Sequence, residues 1–250
     1  MRQVSTPPLY GIVGHGRLAK HLQYYFSKLE INYIPLSSYN FFNHSDQLKS
    51  IDIILLAIAD HAIDDFLLKH RALLGQKTCI HFSGSITTEL AFGFHPLMTF
   101  SKNLYSLEQY QSILFVKEDN TPSFKEVFPQ LPNTCMCIKK TDKPYYHALC
   151  VLANNFSTLL WQKFFTEMNT KFNLPINSLL PFLKQTMENI EKDYQNALTG
   201  PLVRNDHQTI ADNINALEND PFQAIYKSFI RCYKETITTL GDNKCQPIKN

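Results

Sequence analysis

The first 140 residues alternate short apolar runs with segments of helical spacing. A run followed by helical spacing is typical of a strand followed by a helix; Leu18, Leu22 and Phe26, for example, recur three or four positions apart after the first run. Because parallel neighbours need helical crossovers, this rhythm predicts an α/β fold with a doubly wound parallel sheet. Pro35 either argues against the second strand or places it near an edge of the sheet. The predicted strands are "PLYGIVG", "NYIPLSS", "IDIILLAIA", "KTCIHFSGS", "SILFVKED" and "TCMCIKK".

The pattern changes near Lys140, after which only helical segments follow, interrupted by Pro175, Pro181, "TGP" and "NDPF". The first of them, beginning at "KPYYHALC", is apolar around most of its circumference. A helix that is apolar on nearly all sides is buried on nearly all sides, so we expect a second subunit to cover it in part. The sequence therefore predicts two domains, an α/β domain over 1–140 and an all-α domain over 141–250, and a homodimer.

Composition and charge narrow the possible partners. The chain has 44% hydrophobic and 18% charged residues, which suits a globular protein. Its net charge is +2, from 24 Lys and Arg against 22 Asp and Glu, and the scattered charges form no basic stripe, so we expect no nucleic-acid partner. The longest apolar run, Ile53 to Ala59, is far shorter than the roughly 20 residues that span a bilayer, so we expect no membrane partner. The segment "MRQVSTPP" has no apolar signal region.

The cysteines indicate a reducing compartment. Their spacing matches neither a disulfide framework nor a zinc site, so we expect packed thiols in the cytoplasm, with a metal site as the weaker alternative. The six are Cys79, Cys135, Cys137, Cys150, Cys232 and Cys245.

The first strand ends in a glycine turn, Gly14-His15-Gly16-Arg17-Leu18-Ala19, with the pattern G-x-G-x-x-A. In such turns the first glycine permits the tight bend, the second lets a pyrophosphate approach, and the small third residue lets helix and strand pack closely. The helix N-terminus offers free N–H groups to phosphate. We therefore predict that residues 14–18 bind a dinucleotide; a purely structural glycine turn is the alternative.

The residues after the second strand bear on the choice of cofactor. The acidic residue that usually binds the adenosine ribose about 20 positions on is missing, and Ser37 and Ser38 stand there instead. Without a carboxylate to repel a 2′-phosphate, NADP is favoured and NAD stays possible. No arginine follows the serines, and a simple turn is the alternative interpretation of the pair.

Seven motifs occur in one order along the chain. Together they resemble an uncharacterised Rossmann-like family whose C-terminal part is the DUF2520 domain, similar in architecture to pyrroline-5-carboxylate reductase, deazaflavin-dependent NADP oxidoreductase and the 6-phosphogluconate dehydrogenase group. The resemblance implies an NAD(P)-binding domain and a helical, dimer-forming domain like the C-terminal domain of the last group, but no substrate. The motifs are "IVGHGRLAKHL", "LLAIADHAI", "IHFSGS", "GFHPLMTF", "DKPYYHALCVLANNF", "LLPFLKQTMENI" and "ALTGPLVRND".

Two loops at the carboxyl ends of predicted strands are candidates for ligand binding, because ligands of open α/β sheets bind there. Ala59 and Asp60 follow the third strand and would lie along the cofactor; as an alternative, Asp60 is the N-cap of the next helix. The resemblance implies that Ser83 and Gly84 lie near the nicotinamide, where Ser85 would orient a substrate carboxylate or carbonyl. The alternative there is a glycine turn with an N-cap serine.

Two histidines and two asparagines are candidates for the chemistry. His95 precedes Pro96, which favours an extended backbone, and its imidazole could carry a proton at neutral pH. His147 and Asn154 lie seven positions apart and share a helix face, while the resemblance aligns the family's asparagine with Asn155. The alternatives are a histidine hydrogen-bonded within the fold and a buried polar pair at a dimer interface.

A last candidate follows the helix that we expect to end near Ala197. Arg204 is suited to clamp an anion, and Asp206 would contribute to substrate binding, pair with Arg204 or cap the next helix. Where the resembled family has glycine, this chain has Asn205, which tolerates a positive φ.

These observations support one hypothesis and two alternatives. The first is a cytoplasmic, homodimeric NAD(P)-dependent oxidoreductase that reduces or oxidises a small polar substrate held between the two domains. His95 or His147 would donate the proton, and Asn155 and Arg204 would hold the substrate. The second is a nucleotide-binding sensor or scaffold without turnover, and the third is an interaction protein that binds no nucleotide.

Overall fold

The computed structural model describes residues 7–243, with side chains through residue 236, so Cys245 lies outside the described residues. The chain forms two compact units, one ending at Gln162 and one beginning at Lys163. The predicted domain boundary after residue 140 lies just beyond the last strand, which ends at Ile138. That this position separates two domains stays a prediction.

Seven strands form one sheet in the first unit. The order β2-β1-β3-β4-β5-β6-β7 is parallel from β2 to β5, whereas β6 pairs antiparallel with β5 and parallel with β7. The predicted doubly wound α/β fold is confirmed. The reversal at β6 was not predicted; antiparallel pairing lets the connection from Leu97 to Leu114 return at the same end of the sheet. The strands are β1 (Tyr10–Val13), β2 (Tyr33–Leu36), β3 (Ile53–Leu56), β4 (Thr78–His81), β5 (Phe92–Pro96), β6 (Phe115–Glu118) and β7 (Cys135–Ile138).

The two edge strands carry a proline and two cysteines, respectively. Pro35 lies in β2, which pairs only with β1, so the predicted edge position is confirmed. The other edge, β7, carries Cys135 and Cys137 two positions apart, and both are free thiols.

Helices cover both faces of the sheet. The described residues after Lys140 form helices and no strand, as predicted. One expectation is wrong: α9 ends at Lys192 rather than near Ala197, because Asp193 has φ −157°. Among residues 7–243, no helix combines the length and hydropathy needed to cross a bilayer. The helices are α1 (Arg17–Lys28), α2 (Ser45–Leu48), α3 (Ile63–Lys69), α4 (Arg71–Leu74), α5 (Leu107–Ser112), α6 (Phe124–Val127), α7 (Lys143–Cys150), α8 (Ser157–Thr170), α9 (Ile176–Lys192), α10 (His207–Ala216) and α11 (Phe222–Asn243).

Two hydrophobic clusters lie on the two faces of the sheet. Because successive residues of a strand point to opposite faces, Ile12 and Leu55 pack in one cluster, whereas Val13 and Leu56 pack in the other. The first cluster includes residues of α1, α5 and α6, and the second includes residues of α3. The central strands β1 and β3 are therefore buried on both faces, and the ends of these strands are where a ligand can approach.

The helix after β7 departs from expectation in two ways. Val151–Phe156 form a π-helical turn between α7 and α8. The helix is also not buried on nearly all sides within the chain, since Leu152 is 55% and Phe156 is 50% exposed. Burial of these side chains against a second subunit stays a prediction.

The turn after β1 depends on a glycine. Gly14 has φ +122°, and a Cβ atom built on it would lie 2.4 Å from the carbonyl oxygen of Ala57, at the end of β3. Any other residue at position 14 would have to move the backbone of one of these two central strands.

We expect Gly14→Ala to lower the free energy of unfolding by about 2 kcal/mol or more, because strain and a backbone clash add up at this position. Urea unfolding measures the difference. Gly16→Ala is the matched control: Gly16 has φ −69°, and a Cβ atom added there would meet nothing within 4 Å, so the midpoint of this variant should stay at the wild-type value. Equal midpoints for the two variants would contradict the proposed role of Gly14.

Candidate functional site

The N-terminus of α1 presents free backbone amides at the end of the sheet. Gly16 occupies its N-cap position, and neither a side-chain cap nor an acidic residue in the first turn satisfies the N–H groups there. The first amides of an α-helix have no partner within the helix, and the helix dipole makes this end attractive to anions. Ala19 is fully buried in the core cluster beside β1, as expected for the small third position of the motif.

A cavity of about 1280 Å³ opens beside this helix end. It is larger than the roughly 300–1,000 Å³ of a pocket for a drug-sized ligand, so it has room for a molecule as large as a dinucleotide. Of the predicted site residues, it is lined by Gly14, His15, Gly16, Arg17, Leu18, Ser38, Ala59, Asp60, His147, Asn154 and Asn155. Lining residues that sequence reasoning missed include Tyr39, His61, Lys69, His70, Met98, Thr99, Phe100 and Thr158.

The two serines after β2 differ in their surroundings. The amide of Ser37 donates to Nε2 of His44, at 3.1 Å, and its hydroxyl accepts from the amide of Asn40, at 3.4 Å, so this serine takes part in a turn. Ser38 lines the cavity beside Tyr39, whose ring centroid lies 5.4 Å from that of His15. A cofactor contact of either serine stays a prediction.

Asp60 joins the loops after β3 and β4. Its Oδ2 atom accepts hydrogen bonds from the hydroxyls of Ser83, at 2.6 Å, and Ser85, at 3.1 Å. The N-cap alternatives for these residues are wrong: Ala59 occupies the N-cap position of the 3-10 turn that contains Asp60, and no helix begins directly after Ser85. The carboxylate instead fixes the loop after β4 against the loop after β3.

Gly84 lies against two histidine rings. A Cβ atom on this residue would lie 2.6 Å from Cδ2 of His147 and 2.9 Å from Nε2 of His95. The ring centroids of the two histidines are 6.2 Å apart. Sequence reasoning placed all three residues near the site, and the structure brings them together: His147 lines the cavity, and His95 and Gly84 lie next to it.

His95 is held by a tyrosine that sequence reasoning missed. Its Nδ1 atom lies 2.7 Å from the hydroxyl of Tyr146, one turn into α7. Burial, together with His147 and Lys143, lowers the pKa of His95 to about 4. His95 is therefore neutral at physiological pH.

A buried ion pair lies behind these histidines. Nζ of Lys143 contacts Oε1 of Glu118, and their side chains are only 4% and 5% exposed. Lys143 also donates to the carbonyl oxygen of Ile86, in the loop that contains Ser83 and Ser85. Burial lowers the pKa of Lys143, while the hydrogen bond to Glu118 opposes that shift. The pair thus connects the end of β6, the start of α7 and the loop after β4.

His81, in β4, is also close to this pair. It is completely buried, and within the described residues its Nε2 atom has no hydrogen-bond partner. Burial, followed by the charge of Lys143, lowers its pKa to about 3. His81 and His95 are therefore both neutral imidazoles near Lys143 at physiological pH.

The π-helical turn carries both asparagines. In an α-helix, Asn154 would lie almost directly above His147, whereas a π turn takes in one extra residue and brings Asn155 towards that face. Both line the cavity. The hydroxyl of Thr158 donates to the carbonyl oxygen of Asn154, at 2.7 Å, and so satisfies a backbone acceptor within the altered turn.

The predicted anion clamp lies in the second unit. Gly200 and Asn205 adopt positive φ values of 95° and 54°, so the turn tolerates asparagine in the place of the family's glycine. The carboxylate of Asp206 accepts from the amide of Thr209, at 3.1 Å, and thereby caps α10. A hydrogen bond from the Thr209 side chain is the main reason that the pKa of Asp206 is lowered. Substrate binding by Arg204 and Asp206 stays a prediction.

The described part of the chain contains no cluster of three or more His, Cys, Asp or Glu side chains that could hold a metal ion. The chemistry available at the site comprises hydrogen-bond donors, the carboxylate of Asp60, the cationic side chains of Arg17 and Lys69, and the neutral imidazole of His95 beside a helix N-terminus.

The fold is similar to that of several solved structures. A Bacteroides fragilis protein provisionally named as an NADP oxidoreductase aligns with a TM-score of 0.72 at 20% identity, over 92% of this chain and 98% of that one. Protein TM1727 from Thermotoga maritima aligns with a TM-score of 0.66 at 22% identity and the same two coverages. Plasmodium falciparum pyrroline carboxylate reductase, solved with NADP bound, aligns with a TM-score of 0.55 at 15% identity, over 94% and 98%. These likenesses confirm the predicted Rossmann-like fold.

Residues 115–231 match the family model described as "Domain of unknown function (DUF2520)". The resemblance that the sequence motifs indicated is therefore confirmed. No curated protein shows significant sequence similarity to the chain.

We expect the free energy of unfolding to fall as the pH is lowered from about 7 to about 5. Histidine in the unfolded chain binds protons below about pH 6.5, whereas His81 and His95 stay neutral in the folded state to about pH 3 and about pH 4. The unfolded state therefore binds more protons in this window, which costs roughly 1–2 kcal/mol of stability for each histidine.

Urea unfolding at the two pH values measures this loss. His95→Gln should reduce it, while substitution of the exposed His15 by Gln should leave it unchanged. A loss that is the same in wild type and His95→Gln would show that His95 is not held neutral by the fold.

Proposed function

We propose that this protein is an NAD(P)-dependent oxidoreductase that acts on a small polar substrate. The observation that carries the proposal is the cavity at the uncapped N-terminus of α1, where Gly14 forms the tight turn and Gly16 leaves room for a diphosphate. Backbone amides at a helix N-terminus after a G-x-G-x-x-A turn are suited to bind the pyrophosphate of a dinucleotide.

Three features favour NADP over NAD. No carboxylate directly follows β2, so nothing there repels a 2′-phosphate. Arg17 and Lys69 line the cavity and can neutralise an additional phosphate. The Plasmodium falciparum structure that this fold resembles contains NADP.

The nicotinamide of such a cofactor supplies or accepts the hydride, and this chain's residues supply orientation and hydrogen bonds. Ser83 and Ser85, which Asp60 fixes in place, offer hydroxyl groups near the two histidines. Asn154 and Asn155 offer amide groups from the cavity wall. These groups are suited to a polar substrate such as a carbonyl compound, an imine or the corresponding alcohol or amine. In this proposal His95 or His147 interacts with the proton that accompanies hydride transfer.

We also propose a homodimer, supported by the exposed apolar side chains along one helix. Leu149, Leu152, Phe156 and Leu159 recur three or four positions apart, and each is about half exposed. Such a stripe is favourable only when another surface covers it. The five cysteines among the described residues are free thiols, but the expectation that they are packed holds for Cys79 alone, since the other four are partly or largely exposed.

We expect calorimetry to detect binding of NADPH to the wild type and at least about tenfold weaker binding to Gly16→Ala, because the added methyl group would occupy space that the diphosphate needs. An unchanged urea midpoint would show that the variant is folded. The absence of any heat from NADPH, NADP⁺, NADH and NAD⁺ with the wild type would refute nucleotide binding and leave an interaction protein as the function.

We expect Lys69→Gln to weaken NADPH binding about tenfold and NADH binding little, since only NADPH carries the phosphate that the lysine would contact. Lys20→Gln, an exposed lysine of α1 outside the cavity, is the matched control. Equal losses for the two cofactors would mean that Lys69 does not discriminate between them.

A sensor or scaffold without turnover is the second candidate, favoured by the absence of the Lys-x-x-x-Asn spacing that the 6-phosphogluconate dehydrogenase group has on the corresponding helix. Consumption of NADPH with a panel of imines and ketoacids, and reduction of NADP⁺ with hydroxyacids, distinguishes the two. We expect turnover with at least one member of the panel. Tight NADPH binding without turnover on any of them would support the sensor.

A further inference from the structure

The contact between Tyr146 and His95 has no part in the proposed binding of the cofactor. The phenol oxygen lies 2.7 Å from Nδ1 of His95, and the two ring centroids are 5.6 Å apart. Tyr146 is half-buried on α7, whereas its neighbour Tyr145 is 71% exposed. Two adjacent tyrosines thus have very different environments, and only one of them touches the candidate site.

The direction of this hydrogen bond follows from the groups around the phenol. Burial, followed by the neighbouring Cys150, raises the pKa of Tyr146, so its hydroxyl keeps its proton. The proton can go to the thiol of Cys150 or to the imidazole nitrogen, and a thiol sulfur is a weak acceptor. A hydrogen bond with Cys150 also contributes to the raised pKa, but Nδ1 of His95, at 2.7 Å, is the stronger acceptor for the phenol proton.

A donor at Nδ1 decides where the histidine carries its own proton. A neutral imidazole has one N–H, so an accepting Nδ1 leaves the proton on Nε2. Nε2 faces Gly84 and the ring of His147, and no atom of the described residues accepts a hydrogen bond from it. His95 therefore presents a neutral, unused N–H donor next to a residue that lines the cavity.

The charges around His95 keep it neutral. His147 lies on α7, His81 on β4, Lys143 at the start of α7 and Asp60 in the loop after β3. The positive charge of Lys143, and that of His147 or His81 when protonated, disfavours protonation of His95. The negative charge of Asp60 favours protonation of His95, but more weakly. Burial adds to the cationic contributions and is the largest cause.

We propose that Tyr146 is a positioning residue that fixes His95 as the Nε2–H tautomer, so that His95 acts as a neutral hydrogen-bond donor to the acceptor atom of a polarised C=O or C=N group. The role of the donor rests on the proposed function. The tautomer itself does not, because it is set by the protein alone. A neutral donor stabilises negative charge that develops on the acceptor without having to lose a proton to solvent first.

Nitrogen-15 NMR of the histidine side chains tests the proposal in the full chain without cofactor. In the wild type at neutral pH, the Nε2 signal of His95 should have the shift of a protonated nitrogen and the Nδ1 signal that of an unprotonated acceptor. The signals that disappear in His95→Gln assign the residue. A proton on Nδ1 of the wild type would overturn the proposal, whether or not any variant folds.

The same nitrogen signals in Tyr146→Phe give a second readout. Without the phenol, the proposed donor to Nδ1 is gone, so the Nδ1 and Nε2 shifts of His95 should move towards each other as both neutral tautomers become populated. Tyr145→Phe is the matched control and should keep the wild-type shifts. Wild-type shifts of His95 in folded Tyr146→Phe would overturn the proposal.

Calorimetry with NADPH tests the proposed function independently of the tautomer of His95. Tyr146→Phe and Tyr145→Phe should bind NADPH as tightly as the wild type, since neither tyrosine lines the cavity. Absence of NADPH binding to all three proteins would refute the proposed function while the tautomer result stands. Once a substrate is known, Tyr146→Phe should lower kcat at an unchanged KM when kcat is calculated per NADPH-binding site counted by calorimetry, because this count excludes unfolded protein.

Discussion

The buried ion pair between Lys143 and Glu118 is the interaction on which the candidate site depends most. Removing two charges from water is costly, and the cost is offset only when the charges meet each other and further hydrogen-bond partners. Here Lys143 meets both Glu118 and the carbonyl of Ile86, so three separate segments are fixed at one point. Gly93 makes the contact possible, because a Cβ there would lie 2.6 Å from the carboxylate. The ion pair therefore sets where α7, and with it Tyr146 and His147, stands against the sheet.

The same arrangement explains why so many neutral groups surround the site. Burial is the largest reason that the pKa values of His81 and His95 are lowered, and the positive charge of Lys143 adds to it. The carboxylate of Asp60 accepts hydrogen bonds from two serine hydroxyls. His81 and His95 therefore act as hydrogen-bonding groups rather than as charges at neutral pH.

The sequence made much of the fold predictable, and its failures have identifiable causes. Short apolar runs located six of the seven strands, but not β5, and Pro35 indicated an edge strand, because these signals are local. The antiparallel orientation of β6 was not predictable, since the apolar residues of this strand are buried whether the strand runs parallel or antiparallel to β5. Lys143 and Glu118 resemble ordinary surface charges in sequence, because a contact between positions 25 residues apart leaves no periodic signal. Tyr146 was missed for the same reason: nothing distinguishes it from Tyr145 until its neighbours are known.

The π-helical turn also affects how the site could change over evolutionary time. A single inserted residue separates this helix from a regular one, and its deletion would rotate every side chain from Ser157 onwards by about 100° relative to His147. Such an event would exchange the groups on the cavity wall without any substitution at the wall itself. Two homologous helices that differ only by this one residue would have nearly the same sequence and yet place different side chains on the cavity wall.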